Sequence, residues 1–262
     1  MDSREPVQIT MDATITTPPD IAATTSGYVV VWVEEGETGP RLKAVALTEK
    51  GNPGTVQLVA EEGSVDRSMP ISVAAVGDSV VVVWSPKQQN QILAQKLNGN
   101  AEVDGEAQVV DEGVMCLDPK IAASDSGFMV TFGKQPFKDL EIFSRPLDIN
   151  GVPTGDVNRI TFTTVDADSP AVAWNGSSYA VAWISSLANG EERCAHADCN
   201  AQVFAAQLGE DGALSATPVQ LSDDPNPASE LELSWDGSGW TAVFELVRLR
   251  RQQVFLGRMV CD

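Results

Sequence analysis

The stretch Pro170-Ala171-Val172-Ala173-Trp174-Asn175-Gly176-Ser177-Ser178-Tyr179-Ala180-Val181-Ala182-Trp183 decides the fold. Two short apolar runs flank Asn175-Gly176, a strong short-range signal for a hairpin. Working outward, the second run has four counterparts that also close on an aromatic. They are Tyr28-Val29-Val30-Val31-Trp32, Val80-Val81-Val82-Val83-Trp84, Phe128-Met129-Val130-Thr131-Phe132 and Trp240-Thr241-Ala242-Val243-Phe244. The closing aromatics stand at 32, 84, 132, 183 and 244, so successive copies are 52, 48, 51 and 61 residues apart. A steady period near 50 residues marks a repeat architecture. The last interval is stretched by an insertion around Cys194 to Asn200.

Each copy reads as four short strands. The first covers Ile21–Ala23, Val73–Ala75, Ile121–Ala123, Val172–Trp174 or Leu233–Trp235, and a Gly-bearing turn leads into the run that closes on the aromatic. The third alternates over Leu42–Leu47, Ile92–Leu97, Ile142–Leu147, Val203–Leu208 or Val254–Met259. Turns at Lys50-Gly51, Asn98-Gly99, Asn150-Gly151 and Asp211-Gly212 then introduce a fourth strand at Val56–Leu58, Gln108–Val110, Arg159–Thr161 or Val219–Leu221. The fifth copy lacks that strand, but Pro6-Val7-Gln8-Ile9-Thr10 matches Pro218-Val219-Gln220-Leu221-Ser222. An N-terminal strand beside Val254–Met259 would close a ring and remove two open edges.

The expectation is therefore an all-β, five-bladed β-propeller of four antiparallel strands per blade, forming one domain over 1–262. Blade 1 spans about 19–60, blade 2 about 70–111, blade 3 about 119–163 and blade 4 about 170–222; blade 5 combines about 231–262 with 6–10. An open β-solenoid or two sandwiches would leave the displaced N-terminal strand unexplained.

The chain has 262 residues, 43% of them hydrophobic and 21% charged, which excludes wholesale disorder. Asp and Glu total 37 against 17 Lys and Arg, a net charge of −20. Such a surface repels phosphate backbones and anionic lipids, so nucleic acid is excluded as a partner. Apolar stretches such as Tyr28 to Val33 fall far short of the roughly 20 residues that span a bilayer, which excludes membrane insertion.

Cys194 and Cys199 bracket a short loop and are read as a hairpin disulfide. His196 and Asp198 lie between them, so zinc is the alternative, although the spacing lacks the second half of a familiar zinc pattern. Cys116 and Cys261 fall at opposite faces of the expected ring, which disfavours a bridge; four cysteines allow three pairings. Met1-Asp2-Ser3-Arg4-Glu5 is too polar for a signal peptide. The disulfide, the acidic surface and the Thr/Pro-rich Thr14–Pro19 fit a mature exported domain, so an extracytoplasmic location is expected.

The phrase from Pro170 to Trp183, with Val203–Leu208 and Asp211-Gly212, resembles the roughly 50-residue β-propeller repeats of large bacterial surface and secreted proteins. The resemblance extends along nearly the whole chain. It implies an exported propeller and specifies a blade rather than an activity.

In a propeller, residues just before each first strand rim the central funnel. Here these are Asp20, Arg67, Asp118, Lys120, Asp168, Glu230 and Glu232. Converging carboxylates suit a hard cation such as calcium, the cofactor this rim would take, although no calcium-loop spacing is present. No serine-type triad is supported, since His196 is the single histidine and lies in the cysteine loop. The aromatics recurring once per copy are read as core. Trp174, Tyr179, Trp235 and Trp240 are alternatively read as a sugar-stacking surface. The leading expectation is a monomeric, non-catalytic extracytoplasmic binding or scaffold module that presents its loops and funnel to a protein or glycan. The alternative is a carbohydrate-active hydrolase with Asp118 and Asp168 as its catalytic carboxylates.

Overall fold

A computed structural model describes residues 6–10, 13–186, 201–248 and 251–260. The first antiparallel sheet holds β1 (Asp20–Thr24), β2 (Gly27–Glu35), β3 (Pro40–Thr48) and β4 (Gln57–Ala60). The second holds β5 (Ser72–Val76), β6 (Ser79–Trp84), β7 (Gln91–Leu97) and β8 (Gln108–Glu112). The third holds β9 (Leu117–Ala123), β10 (Gly127–Lys134), β11 (Glu141–Asp148) and β12 (Asn158–Arg159). The fourth holds β13 (Ala167–Trp174), β14 (Tyr179–Ser186), β15 (Ala201–Leu208) and β16 (Val219–Gln220). The fifth has three strands: β17 (Ala228–Trp235), β18 (Trp240–Arg248) and β19 (Arg251–Met259).

The unbroken valine runs follow from burial on both faces of a sheet, where alternation with polar residues has no use. In β6, Val80, Val82 and Trp84 pack toward Val29, Val31 and Leu42 of the first sheet. Val81 and Val83, one residue out of phase, pack with Ile121, Phe128 and Phe132 of the third. Met129 and Ile142 meet Val181 and Trp183 at the next seam. Ile184 and Val203 meet Phe244 and Leu246 at the one after. Removing one such side chain from water stabilises the fold by about 1.5–3 kcal/mol. Among the described residues no comparable cluster joins the fifth sheet to the first; Val243, Val254 and Leu256 on one, and Ile21, Tyr28 and Leu58 on the other, are exposed.

The structure corrects the expected N-terminal strand. None of residues 6–10 is in a strand, and the fifth sheet ends at β19. The segment is held at the first sheet: Ile9, Thr10 and Ala13 line a cavity with Trp32, Glu34, Arg41 and Val56. The physical reason lies in β2, which overhangs β1 and leaves backbone groups near Val33–Glu35 to satisfy. Thr16 N donates to Val33 O and Glu35 N to Thr14 O, both at 2.9 Å. The Thr/Pro-rich start thus continues the first strand across an interruption at Thr17-Pro18-Pro19.

The fourth strands also depart from a simple hairpin. After the third strand of each of the first four sheets the chain makes one isolated bridge, at Leu47–Pro53, Leu97–Val103, Leu147–Pro153 and Leu208–Leu214, before the outer strand begins. Each turn needs one residue in the left-handed region: Gly51 (φ 78°), Ala101 (φ 63°), Gly151 (φ 77°) and Gly212 (φ 81°). Glycine meets that demand without steric cost in three of the four.

Candidate active site

One funnel collects the start of the first strand from every sheet. Its outer cavity, about 310 Å³, is lined by Thr16, Thr17 and Pro18, by Ser68 and Pro70, by Asp118 and Lys120, by Ser169 and Pro170, and by Glu230–Glu232. An adjoining cavity of about 440 Å³ shares Lys120, Glu230 and Glu232 and adds Asp20 and Ser72.

Three rim residues share an uncommon backbone. Asp118 (φ 49°), Ser169 (φ 49°) and Glu230 (φ 48°) lie in the left-handed region without being glycine. Each sits where its strand carries one extra residue against its partner, between Leu117 and Lys120, between Asp168 and Ala171, and between Ser229 and Leu231. Bulges of this kind re-aim side chains. A non-glycine residue held there costs on the order of 1–3 kcal/mol, and such strain gathers at functional sites.

Deeper in the funnel, Asp20 joins two sheets: its carboxylate accepts from Val73 N and from Ile21 N, both at 2.8 Å. Ser72 Oγ accepts from Ile121 N at 3.4 Å. Lys120 Nζ lies 2.8 Å from Glu232 Oε1, an ion pair that ties the third sheet to the fifth. Its ends are unequally shielded, with Glu232 75% exposed, so it fixes orientation more than it adds stability. Asp20, Lys120 and Glu232 are engaged with protein groups. Asp118 and Glu230 line the outer cavity at the mouth.

Asp168 does not line the funnel; one of its carboxylate oxygens is buried and the adjacent Ser169 takes the lining position. Arg67 is displaced as well. It lines a separate cavity of about 480 Å³ with Glu35 and Lys87, and its Nη2 is 3.0 Å from Glu35 Oε1. The cause is a turn at Asp66, whose carboxylate accepts from Ser68 N (2.8 Å), Ser68 Oγ (2.7 Å) and Gln89 Nε2 (2.8 Å). Burial works to raise the Asp66 pKa, but the hydrogen bonds from Ser68 and Gln89 outweigh it and hold the carboxyl below its usual range. This turn puts Ser68, rather than Arg67, on the funnel. Thr16, Thr17, Ser68 and Ser169 were not singled out from the sequence, although Pro70 and Pro170 mark two of the rim segments.

Trp174 and Trp235 are not an open sugar platform. Their rings pack on Tyr179 and Trp240 at 4.5 and 5.1 Å, and the latter two are buried. Cys116 is a free, buried thiol, pushed up to about 11 chiefly by burial and then by the charge of Asp111. Cys194, His196, Cys199 and Cys261, and with them the disulfide and zinc readings, lie outside the described residues. Among the described residues no three His, Cys, Asp or Glu side chains gather as a metal site, and no helix is long and apolar enough to cross a membrane.

No protein-family model matches the chain, and no curated protein matches it. Solved structures do share its architecture. An exo-1,5-α-L-arabinanase from a bovine ruminal metagenomic library superposes with a TM-score of 0.52 at 12% identity, covering 97% of both chains. An α-L-arabinofuranosidase from Lactobacillus brevis gives 0.54 at 11% identity over 95% of this chain and 92% of that one. A puromycin hydrolase gives 0.59 at 12% identity, over 95% of this chain but 38% of the other. At these identities the likeness supports the β-propeller fold, and the named activities belong to those proteins. The expectation of a non-catalytic binding or scaffold module is nonetheless corrected here. The arabinanase and the arabinofuranosidase, which match over almost their whole length, are carbohydrate-cleaving enzymes, and two rim carboxylate residues hold left-handed backbone.

Proposed function

We propose that the chain is a glycoside hydrolase whose substrate is an arabinose-containing polysaccharide, cleaved at the funnel by Asp118 and Glu230. The observation that carries the reading is the shared geometry of these two residues. Both hold left-handed backbone at the same repeat position, on the third and fifth sheets, and both line one cavity. Glu230 takes the role that the sequence reading gave to Asp168.

Two carboxylates flanking a glycosidic bond suffice for its hydrolysis. One donates a proton to the departing sugar oxygen. The other either draws a proton from water as it attacks the anomeric carbon or attacks that carbon itself. The hydroxyls of Thr16, Ser68 and Ser169 around the mouth suit hydrogen bonds to sugar hydroxyls, and the Lys120–Glu232 pair narrows the passage. The first strands shared around one funnel also support a ring of five blades. A polymeric substrate, too large to enter a cell, supports an extracytoplasmic location.

Hydrolysis of arabinan and of a chromogenic aryl α-L-arabinofuranoside tests the reading. Asp118→Asn and Glu230→Gln are each expected to lower turnover by about 10²–10⁴ with the fold intact. Full activity in both variants, or no activity in the unaltered protein, contradicts it.

A further inference from the structure

We propose that Phe162 is a stacking platform for one sugar ring of the polymeric substrate, on the funnel side of the molecule and outboard of the carboxylates. The identity of the polymer rests on the hydrolase reading; the platform rests on its own geometry. Phe162 lies in the connection from β12 to β13 and is 73% exposed. Burying a phenylalanine ring stabilises a fold, and at this exposure most of that gain is forgone.

The exposed ring is also held in place. The guanidinium carbon of Arg159 lies 4.7 Å from its centroid, a cation–π contact that covers one face and leaves the other open. Arg159 is fixed in turn, with Nη2 2.8 Å from Glu141 Oε1 and Nε donating to Thr161 O at 2.8 Å. Glu141 is buried and also accepts from Thr163 N at 3.0 Å and from the Thr161 hydroxyl. A buried carboxylate therefore orients a guanidinium, and the guanidinium orients the ring.

The platform is tied to the funnel by a short, pinned stretch of chain. Asp166 accepts from Leu140 N at 2.7 Å, Ala167 N donates to Leu140 O at 2.8 Å, and Ser169 then lines the outer cavity. A flat apolar face with hydrogen-bonding groups beside it suits the C–H face of a sugar ring. The net charge of −20 disfavours an acidic polymer and leaves a neutral glycan as the fitting occupant.

Affinity electrophoresis in gels containing arabinan tests the platform, with turnover of the chromogenic arabinofuranoside measured alongside. Phe162→Ala is expected to weaken retardation by roughly three- to tenfold and to leave turnover of the small substrate within twofold, while Phe162→Trp keeps both. Equal retardation of Phe162→Ala and the unaltered protein, no retardation of either, or a parallel loss on the small substrate overturns the platform. Retardation that depends on Phe162 in a protein that hydrolyses nothing keeps the platform and removes the hydrolase reading.

Discussion

Glu230 shows what a single residue contributes to this fold. It is exposed, and its backbone sits in a region that L-residues avoid by about 1–2 kcal/mol. Packing does not explain its presence there. Glycine at the same position would relieve the strain and cost back about 0.4–1 kcal/mol through the freer unfolded chain. Glu230→Gly is therefore expected to raise stability by about 0.5–1 kcal/mol in urea unfolding while abolishing hydrolysis. A variant that loses stability as well would show that Glu230 serves the scaffold. Asp118 and Ser169 share the geometry, so the demand belongs to the repeat position, and the residue chosen there carries the function.

Among the elements, the turn after each third strand repeats most faithfully and separates two kinds of glycine constraint. At Gly51 an added Cβ would meet nothing within 4 Å, so only backbone strain opposes it. At Gly151 it would come within 3.2 Å of Val81 Cγ2, a side chain packed between the second and third sheets. Gly51→Ala is expected to destabilise by about 1 kcal/mol and Gly151→Ala by about 2 kcal/mol or more, read from thermal unfolding. Equal losses would mean that the neighbouring sheet yields freely. The strands themselves were legible because Val80–Trp84, Phe128–Phe132 and Tyr179–Trp183 are buried on both faces and leave a continuous apolar signature, which Tyr28–Trp32 and Trp240–Phe244 share with one face partly exposed. The site was legible where a side chain marks its own position, as at Asp118 and Glu230. It was not where a bulge moved the register: the extra residue in β13 puts Ser169 on the funnel and withdraws Asp168. Arg67 was misread because the turn that diverts it depends on Gln89, 23 residues away. Phe162 stands between strands, outside the repeat's apolar period.

At the scale of the whole molecule, four seams are packed by apolar side chains and the fifth lacks an equivalent cluster among the described residues. The match of Val7–Thr10 to Val219–Ser222 is a local property, and local strand character cannot choose between two partners. The overhang of β2 offers unsatisfied backbone groups close by, and it holds Thr14 and Thr16. The convergence of first strands does not depend on that terminus: the Lys120–Glu232 pair joins sheets three and five, and one cavity touches all five rims. The most direct measurement is a crystal structure of the Glu230→Gln protein soaked with a linear arabino-oligosaccharide. Density for a glycosidic oxygen between residue 230 and the Asp118 carboxylate is the expected result; sugar bound elsewhere with the funnel empty would contradict the assignment.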